Sequence, residues 1–467
     1  MYCGYITNIK NLRPHPNADR LDLGECFGNT VCVGRWEYAE GDVIVYFPTD
    51  GQLSEEFCAK HDLVRRKDEN GNPAGGYLEP GKRNIRAINL RGQKSDGLVM
   101  PLHCLEYTGV DMATMTVGTP ITVVNGHEIC CKYIPRTNVR GDHSRGGNKT
   151  RKHKEPIAPL FAEHADTEQL AYNLAAFKPG DEIEITLKMH GTSQRTAHLP
   201  VLTGYKRTFW DKLLRRQGAP IYDWGYISGT RRVVLDSYDG GFYGSNEFRE
   251  QYHNFFDGKL LKGETVYYEI VGFTHDGKSI MGQCSNKKLN DKEFVKQYGE
   301  ITTFSYGCVP NPTVTMDGEA FNTTNCVNAP KQSRMFVYRM TMTNEDGEVV
   351  EYTPDQVRHR CMYMGAEFVP VEWSGIIPQN PGSHDDPTIT AGEWIMKKVE
   401  QFYDGPEPLD PTHIREGCVV RIINRPTFTA YKHKNFQFKV LEGIIKDTAD
   451  APDMEEADGL DDEAETV

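Results

Sequence analysis

The run Asp181-Glu182-Ile183-Glu184-Ile185-Thr186 alternates polar and apolar residues with the period of a half-buried strand. Leu187-Lys188-Met189-His190-Gly191-Thr192-Ser193 follows without a break, so the pattern delivers Lys188 to a strand end. The chain is then expected to turn at Gly191, a residue free to take positive φ and to let a ligand approach the backbone. Thr192 and Ser193 offer hydroxyls and amides to a phosphate. A lysine amine, protonated below its ordinary pKa of about 10.4, becomes a nucleophile only where positive charge, metal or desolvation favours its neutral form. Alone, a K-x-x-G is more simply a surface lysine beside a turn.

Four further stretches follow in order: Tyr267-Tyr268-Glu269-Ile270-Val271-Gly272, Met335-Phe336-Val337-Tyr338-Arg339-Met340, Arg415-Glu416-Gly417-Cys418-Val419-Val420-Arg421 and Asn435-Phe436-Gln437-Phe438-Lys439-Val440. Taken singly, Glu269 and Glu416 read as surface carboxylates and Tyr338 as a core residue. As an ordered set, the five resemble motifs I, III, IIIa, IV and V of the covalent nucleotidyltransferases, the superfamily of ATP-dependent ligases and mRNA capping enzymes. The K-x-H-G-T-S form of the first motif, in place of K-x-D-G, is most similar to that of RNA ligases.

The resemblance implies attack by Lys188 on the α-phosphorus of ATP, release of pyrophosphate and a lysyl-AMP intermediate. It implies that Lys439, expected at an outgoing strand end, faces the α-phosphate as a second cation. Glu416 would hold the hydration shell of magnesium, or of manganese, beside Lys188. Gly191 and Glu269 would belong to the ATP pocket, Glu269 accepting from a ribose hydroxyl. Tyr338 would stack on the purine, with Phe336 as the alternative ring. Arg231, in Ser228-Gly229-Thr230-Arg231-Arg232, is the expected ligand of the acceptor-strand phosphate, and Arg195 the alternative. His190 contacts phosphate or hydrogen-bonds the turn. One departure concerns the fifth motif, which in the family carries two lysines separated by one residue. Here the first position is Gln437, an amide that cannot offset a phosphate charge, with Lys434 as a compensating cation.

The N-terminal third has a different texture. Val31-Cys32-Val33-Gly34, Val43-Ile44-Val45-Tyr46-Phe47-Pro48, Asn84 to Leu90 and Ile121-Thr122-Val123-Val124 are short strand-like runs between turn residues, which predict a small barrel. His15-Pro16-Asn17-Ala18-Asp19-Arg20-Leu21, followed by Val33-Gly34 and Glu40-Gly41-Asp42, is similar to the tRNA-binding type of OB-fold. Arg65, Arg66, Lys67, Lys82, Arg83, Arg86, Arg91 and Lys94 are candidates for a face that tracks a strand, or for solvated loops. Lys132 to Lys154 is basic and nearly devoid of apolar residues. It reads as a linker that adds phosphate contacts by counterion release, or as a mere connection.

Beyond it, helices are expected at Phe161 to Leu170, Asn246 to Phe256, Asp291 to Tyr298, Pro354 to Gly365 and Glu393 to Phe402. They do not alternate regularly with strands, which indicates α+β with antiparallel sheets. Pro310 to Lys331 reads as an insertion. The expected organisation is an OB-fold barrel over residues 1–130, a basic linker over 131–158, a nucleotidyltransferase domain of the ATP-grasp-like ligase type over 159–446 and an acidic tail over 447–467.

A net charge of −13 is no obstacle to a nucleic-acid partner. Nine of the acidic residues lie in Thr448 to Val467, which has no Lys or Arg, so the rest of the chain carries −4. That end reads as a disordered tail, or as an electrostatic mimic that screens a nucleic-acid groove. Twelve cysteines without a C-x-x-C pair indicate reduced thiols rather than a zinc site or a disulfide framework. With no run of about 18 apolar residues and no signal-peptide pattern, a cytoplasmic protein without a membrane segment is expected.

A barrel placed before the catalytic domain is similar to the RNA ligase family of the Deinococcus and Naegleria type. That likeness implies three-step sealing of a 3′-OH to a 5′-phosphate where the 3′-OH end is a ribonucleotide. The expected partner is RNA or an RNA-containing nicked duplex, with no obligate protein partner. Two rivals differ in chemistry. A capping-type guanylyltransferase would use GTP and place its OB domain after the catalytic one. A non-catalytic RNA-binding protein would have no need of Lys188, Glu269, Glu416 and Lys439 together.

Overall fold

The computed structural model describes residues 2–71, 73–134, 156–164, 167–214, 216–231, 233–235, 238, 247–316, 319–322, 330–382 and 388–446. Residues 135–155 of the expected linker and the whole acidic tail 447–467 lie outside the described residues. By its packing the chain divides into two units: Met1–Pro135 with Ser285–Glu300 and Lys434–Thr448, and Arg136–Cys284 with Ile301–His433 and Ala449–Val467. The first unit therefore takes two segments from inside the range 159–446.

In the first unit, Val43–Phe47 is buried along four of its five residues, as a central strand must be. The sheet order is Leu98–Pro101, Val43–Phe47, Gly4–Asn8, Pro120–Ile121. Lys10–Pro14, Leu21–Cys26 and Asn29–Gly34 form a separate three-stranded meander. Ile6, Val45, Phe47, Leu53, Phe57, Leu105 and Ile129 fill the core. This is the OB-fold barrel expected from the short alternating runs. Several of its expected cations are already engaged: Arg66 with Asp62 at 2.6 Å, Arg83 with Glu55 at 3.2 Å, and Arg65, whose Nε donates to Tyr77 O at 2.9 Å.

The segment expected to end in a strand bearing Lys439 is instead a helix, Phe436–Lys446. Its side chains alternate in sequence, but Phe438 and Leu441, three apart, are both fully buried. Asn435 starts the helix by accepting from the N–H groups of Gln437 and Phe438 at 2.8 and 3.3 Å. Lys439 Nζ lies 2.5 Å from Asp96 Oδ2, a carboxylate at the end of the strand Gln93–Asp96. Beside this pair a small cavity is lined by Thr49, Asn84, Arg86, Lys439 and Gly443.

The second unit holds two large, mostly antiparallel sheets. One runs Glu168–Gln169, Thr429–Lys434, Gly417–Ile422, Glu182–Leu187, Val371–Ile376. The helix Ala391–Val399 contributes Ile395 and Val399 to the core beneath it, with Ile183, Ile185, Val420 and Ile422. The other sheet runs Val234–Leu235, Ala219–Gly229, Thr192–Lys206, Glu264–Gly272, Ser333–Thr343, Val349–Glu351, and Glu367–Phe368 pairs in parallel with Ser333–Thr343. Helices Glu247–Phe256 and Pro354–Met364 pack on it through Phe248, Phe256, Val357 and Cys361.

Four of the expected helices form within a few residues of their expected ends, and three of them start at side-chain caps. Asp291 opens Lys292–Tyr298, and Thr353 and Thr390 close capping boxes with Gln356 and Glu393. The described residues of Phe161 to Leu170 do not form the expected helix. Glu168–Gln169 is a strand paired in parallel with Tyr431 and Lys432, because a sheet edge supplies the backbone partners that an isolated helical turn would have to make alone. In Pro310 to Lys331, Thr313–Met316 and Glu319–Asn322 form a hairpin. No disulfide joins the described cysteines, and no described helix is long and apolar enough to cross a membrane.

Removing the ammonium from Lys439 leaves Asp96 buried without its cation. Lys439→Met should lower the unfolding free energy by about 3–5 kcal/mol, read from urea denaturation, whereas a lysine working only on phosphate would leave stability unchanged.

Candidate active site

Antiparallel register decides where the lysine goes. Leu187, the last residue of Glu182–Leu187, lies opposite Cys418 of Gly417–Ile422. Continued by one residue, that register sets Lys188 opposite Gly417, and Glu416 is the next residue outward. The Lys188 N–H donates to Gly417 O at 3.1 Å, and Lys188 Nζ lies 2.8 Å from Glu416 Oε1. The carboxylate is 2% exposed and the lysine side chain 21%, so the carboxylate is enclosed while the amine keeps a path to solvent.

The turn after the lysine is held from behind. The His190 N–H donates to Tyr306 Oη at 2.6 Å, and its Nδ1 is 3.9 Å from Glu416 Oε2. The His190 ring packs edge-on against Phe304, with centroids 4.7 Å apart. Burial first, then the charges of Glu407 and Glu416, push the Tyr306 phenol well above its ordinary value, which keeps it protonated. Tyr306 takes a left-handed φ of 51°. His413 steadies it: Nδ1–H donates to Ile414 O at 3.0 Å, so Nε2 is left to accept from the Tyr306 N–H at 3.4 Å. Burial holds this imidazole below its ordinary pKa, consistent with that neutral tautomer. Asp410 accepts from the Gly307 N–H at 3.0 Å, from the Thr412 hydroxyl at 2.6 Å and from the Ser305 hydroxyl. Burial raises its pKa, but these hydrogen bonds outweigh that effect and hold the carboxyl below its usual value.

Gly191 serves a purpose other than the expected one. It has no positive φ. A Cβ there would lie 2.3 Å from Ile270 O and 2.8 Å from Val271 Cγ1, so glycine is required for the approach of the turn to the strand Glu264–Gly272. Thr192 is likewise not turned to a phosphate: its hydroxyl accepts from Arg249, whose other nitrogen donates to Ser193 O at 3.0 Å.

Across the larger sheet, Ser193 lies opposite Glu269 and Glu269 opposite Phe336, while Arg195 lies opposite Tyr267 and Tyr267 opposite Arg339. Cross-strand partners share a face. That face is opposite the one on which Tyr268, Ile270, Met335 and Val337 pack against the two helices. Glu269 is interior to its strand, which runs on to Gly272, rather than at the strand end. Phe336 is directly across from it, buried under the Arg334 guanidinium at 4.7 Å. A register shift opposite Tyr267 and Tyr268 leaves Tyr338 without a cross-strand position of its own, and its half-buried ring sits 5.5 Å from that of His164.

Arg195 is 1% exposed, stacked 4.2 Å from the Phe161 ring, and it donates to Ala162 O. Burial lowers its pKa, with Tyr267, Glu163 and Tyr338 acting in the other direction. A guanidinium sealed beneath residues 161–162 is closed to solvent, and the expectation for an acceptor phosphate turns to Arg231. That residue lies half-buried in the turn after Ala219–Gly229, its carbonyl accepting from the His164 N–H at 3.1 Å. Lys439 belongs to the other unit. A pair of lysines with the spacing expected of the fifth motif does occur: Lys432-His433-Lys434, in the strand Thr429–Lys434 next to Gly417–Ile422. The short connection 423–428 makes these neighbours a hairpin, so Lys432 returns toward the sheet end where Glu416 begins its strand. The two-lysine spacing is the signal in the sequence for this pair, which the assignment of the fifth motif to Gln437 and Lys439 passes over. Phe304, Tyr306 and His413 carried none, since 116 residues separate Tyr306 from His190.

Among the described residues no group of three or more His, Cys, Asp or Glu side chains is set to hold a metal ion. One enclosed carboxylate beside a lysine nonetheless suits magnesium, which keeps several waters and takes further oxygens from phosphate. Glu407, near Tyr306, has Oε1 accepting from the Leu409 N–H at 3.2 Å, and Oε2 has no hydrogen-bond partner among the described residues.

Two expectations follow from these contacts. Gly191→Ala should lower stability by about 1–3 kcal/mol, measured by thermal denaturation, because the carbonyl it meets cannot yield without parting two strands. Burial raises the Glu407 carboxyl from 4.5 to about 7, so the folded chain holds that proton more tightly than the unfolded one. Its contribution to stability is full below the unfolded value and is lost as pH rises through about 7. Glu407→Gln should therefore raise the denaturation midpoint at about pH 8 and leave it unchanged at about pH 4.5.

A family model described as an OB-fold domain matches residues 4–102. No curated protein matches the sequence. Among solved structures, the chain is similar to Naegleria gruberi RNA ligase with PPi, at 14% identity and TM-score 0.51, covering 94% of this chain and 98% of that one. It is similar to a lysine-to-methionine mutant of that ligase with AMP and Mn, at 15% identity and TM-score 0.52 over the same shares of the chains. A lysine-to-alanine mutant with ATP and Mn gives 16% identity and TM-score 0.51 over 96% of this chain and 98% of that one. At these identities the likeness is one of fold: an N-terminal OB-fold and a mostly antiparallel α+β architecture similar to that of Naegleria gruberi RNA ligase.

Proposed function

We propose that the protein is an ATP-dependent RNA ligase that joins a 3′-OH to a 5′-phosphate, acting on breaks or nicks with a ribonucleotide 3′ end. The observation that carries this is Lys188 Nζ at 2.8 Å from the enclosed Glu416, at the ends of two paired strands, in a chain with the fold of an RNA ligase. The Lys188 amine passes its proton toward Glu416 and attacks the α-phosphorus of ATP. A P–N bond forms, the bond to the β-phosphate oxygen breaks, and pyrophosphate leaves. A 5′-phosphate oxygen then displaces the lysine, giving an AMP-capped end. The 3′-OH finally attacks that 5′-phosphorus and expels AMP.

The ordered motifs and the geometry support a role for each residue. Glu269 accepts from a ribose hydroxyl on the face it shares with Phe336 and Ser193. Tyr338 or Phe336 supplies the purine contact, and Gly191 sets the depth of the turn. Lys432, rather than Lys439, is assigned the α-phosphate, where preorganised positive charge matters most. Arg231 is assigned the acceptor phosphate. Glu416 would hold magnesium or manganese through its water shell, and a bound ion would supply charge neutralisation at the phosphates. The barrel is assigned the RNA-containing duplex.

Incubation with α-phosphate-labelled ATP should give a covalent label on the wild type and none on Lys188→Ala. Labelling from GTP alone would indicate a capping-type enzyme, and no label from either would sink the proposal. In the same assay Lys432→Ala should lose about 100-fold or more in rate. Lys439→Ala should lose activity only as far as it loses folded protein.

A further inference from the structure

The antiparallel pair Thr192–Lys206 and Ala219–Gly229 extends well past its sheet. Pairing with Glu264–Gly272 ends at Ala197, yet pairing between the two long strands continues to Lys206 opposite Ala219. Nine residues of two-stranded ribbon remain, about 30 Å at strand rise. Ile157, Ala158, Leu160 and Phe161 back its base, against Leu199, Val201 and Ile227. A register shift between Leu202 and Gly204 twists the remainder.

The tip is built unlike a loop that only closes a hairpin. A short helix, Phe209–Leu213, is fixed by Asp211, whose carboxylate accepts from the Thr208 N–H at 2.9 Å and the Thr208 hydroxyl at 2.6 Å. Arg207 Nε donates to Gln217 O at 3.2 Å and closes the base of the tip. Phe209, Trp210, Leu213 and Leu214 are nevertheless 73, 66, 62 and 54% exposed. The Phe209 and Trp210 rings meet edge to face at 5.9 Å. Lys206 to Arg216 carries five cationic residues and one carboxylate, in a chain whose net charge is −13. That carboxylate is turned into its own cap. A clustered exposed apolar surface marks an interaction site, and the cations around it select an anionic partner.

We infer that this tip is a docking site for a single-stranded segment of the nucleic acid being sealed. Bases would stack on Phe209 and Trp210, and Lys206, Arg207 and Arg216 would neutralise flanking phosphates. Aromatic faces interleaved with cations are what a sequence-tolerant single-strand site requires. The identity of the strand as substrate rests on the ligase reading.

The test uses the full chain and a fluorescein-labelled nicked RNA–DNA duplex, with and without a single-stranded extension, read by anisotropy. Phe209→Ala/Trp210→Ala should bind the extended duplex roughly tenfold more weakly. Its affinity for the blunt duplex and its covalent labelling by ATP should stay unchanged, and Trp210→Phe should keep most of the affinity. Replacing Lys206, Arg207 and Arg216 by alanine should flatten the salt dependence by about two in log–log slope. Unchanged affinity for the extended duplex in the double variant overturns the assignment. So does a change confined to oligomeric state, or to the effect of deleting residues 447–467, which would make the occupant a protein segment. Loss of affinity together with absence of ATP labelling in the wild type would sink the ligase reading and leave the strand site standing.

Discussion

The pairing of Glu182–Leu187 with Gly417–Ile422 is the constraint on which the site depends. A strand slipped by one residue would send its inward residues to the other face, and Lys188 would no longer meet Glu416. The register is locked by what it buries. Ile183, Ile185, Val420 and Ile422 share one core with Ile395 and Val399 of the helix beneath. The apolar side of the sheet thus fixes the polar contact at its end. Enclosing a carboxylate costs several kcal/mol of solvation, so Glu416 is tolerated because the lysine is delivered to it by backbone geometry rather than by a flexible search.

The second sheet is tied to the first through the turn at His190 and Gly191. With no Cβ at Gly191, the chain passes against Ile270 O and enters Thr192–Lys206 directly. Arg249 then holds Thr192 and Ser193 from the side opposite Glu269. A helix residue thereby sets a strand whose other face carries the candidate nucleotide contacts. The turn is fixed from three directions: by Tyr306, by the strand carrying Ile270, and by Arg249.

Much of this was legible in the sequence because it was local. Alternation placed Lys188 at a strand end, apolar residues three or four apart marked the helices Lys292–Tyr298, Pro354–Met364 and Ala391–Val399, and turn-separated apolar runs gave the barrel. What was not legible depended on distant partners. The stretch Phe436-Gln437-Phe438-Lys439 alternates as a strand would, and the joint burial of Phe438 and Leu441, three apart, goes with the helix it forms. Glu168–Gln169 forms a strand because Tyr431 and Lys432 lie alongside. Arg195 has the composition of a phosphate ligand, yet Phe161 and Ala162 cover it. Phe304, Tyr306 and His413 belong to no short motif, and their part emerges only when the chain brings them behind His190.

Three lysine–carboxylate pairs show why contact alone does not identify a reactive lysine. Lys188 with Glu416, Lys434 with Glu442 and Lys439 with Asp96 all lie within 2.8 Å, with every carboxylate largely buried. They differ in what surrounds the amine. Lys434 is 9% exposed and bound to both oxygens of Glu442 within the same short stretch of chain. Lys439 is 16% exposed and clamps a helix to the barrel. Lys188 is the most open of the three at 21%. Its partner sits beside His190 and acts electrostatically on Tyr306, in a turn immobilised from behind. Rigid support of the carboxylate with an accessible amine is what attack on phosphorus needs, because the nucleophile must move toward substrate while its proton acceptor stays fixed.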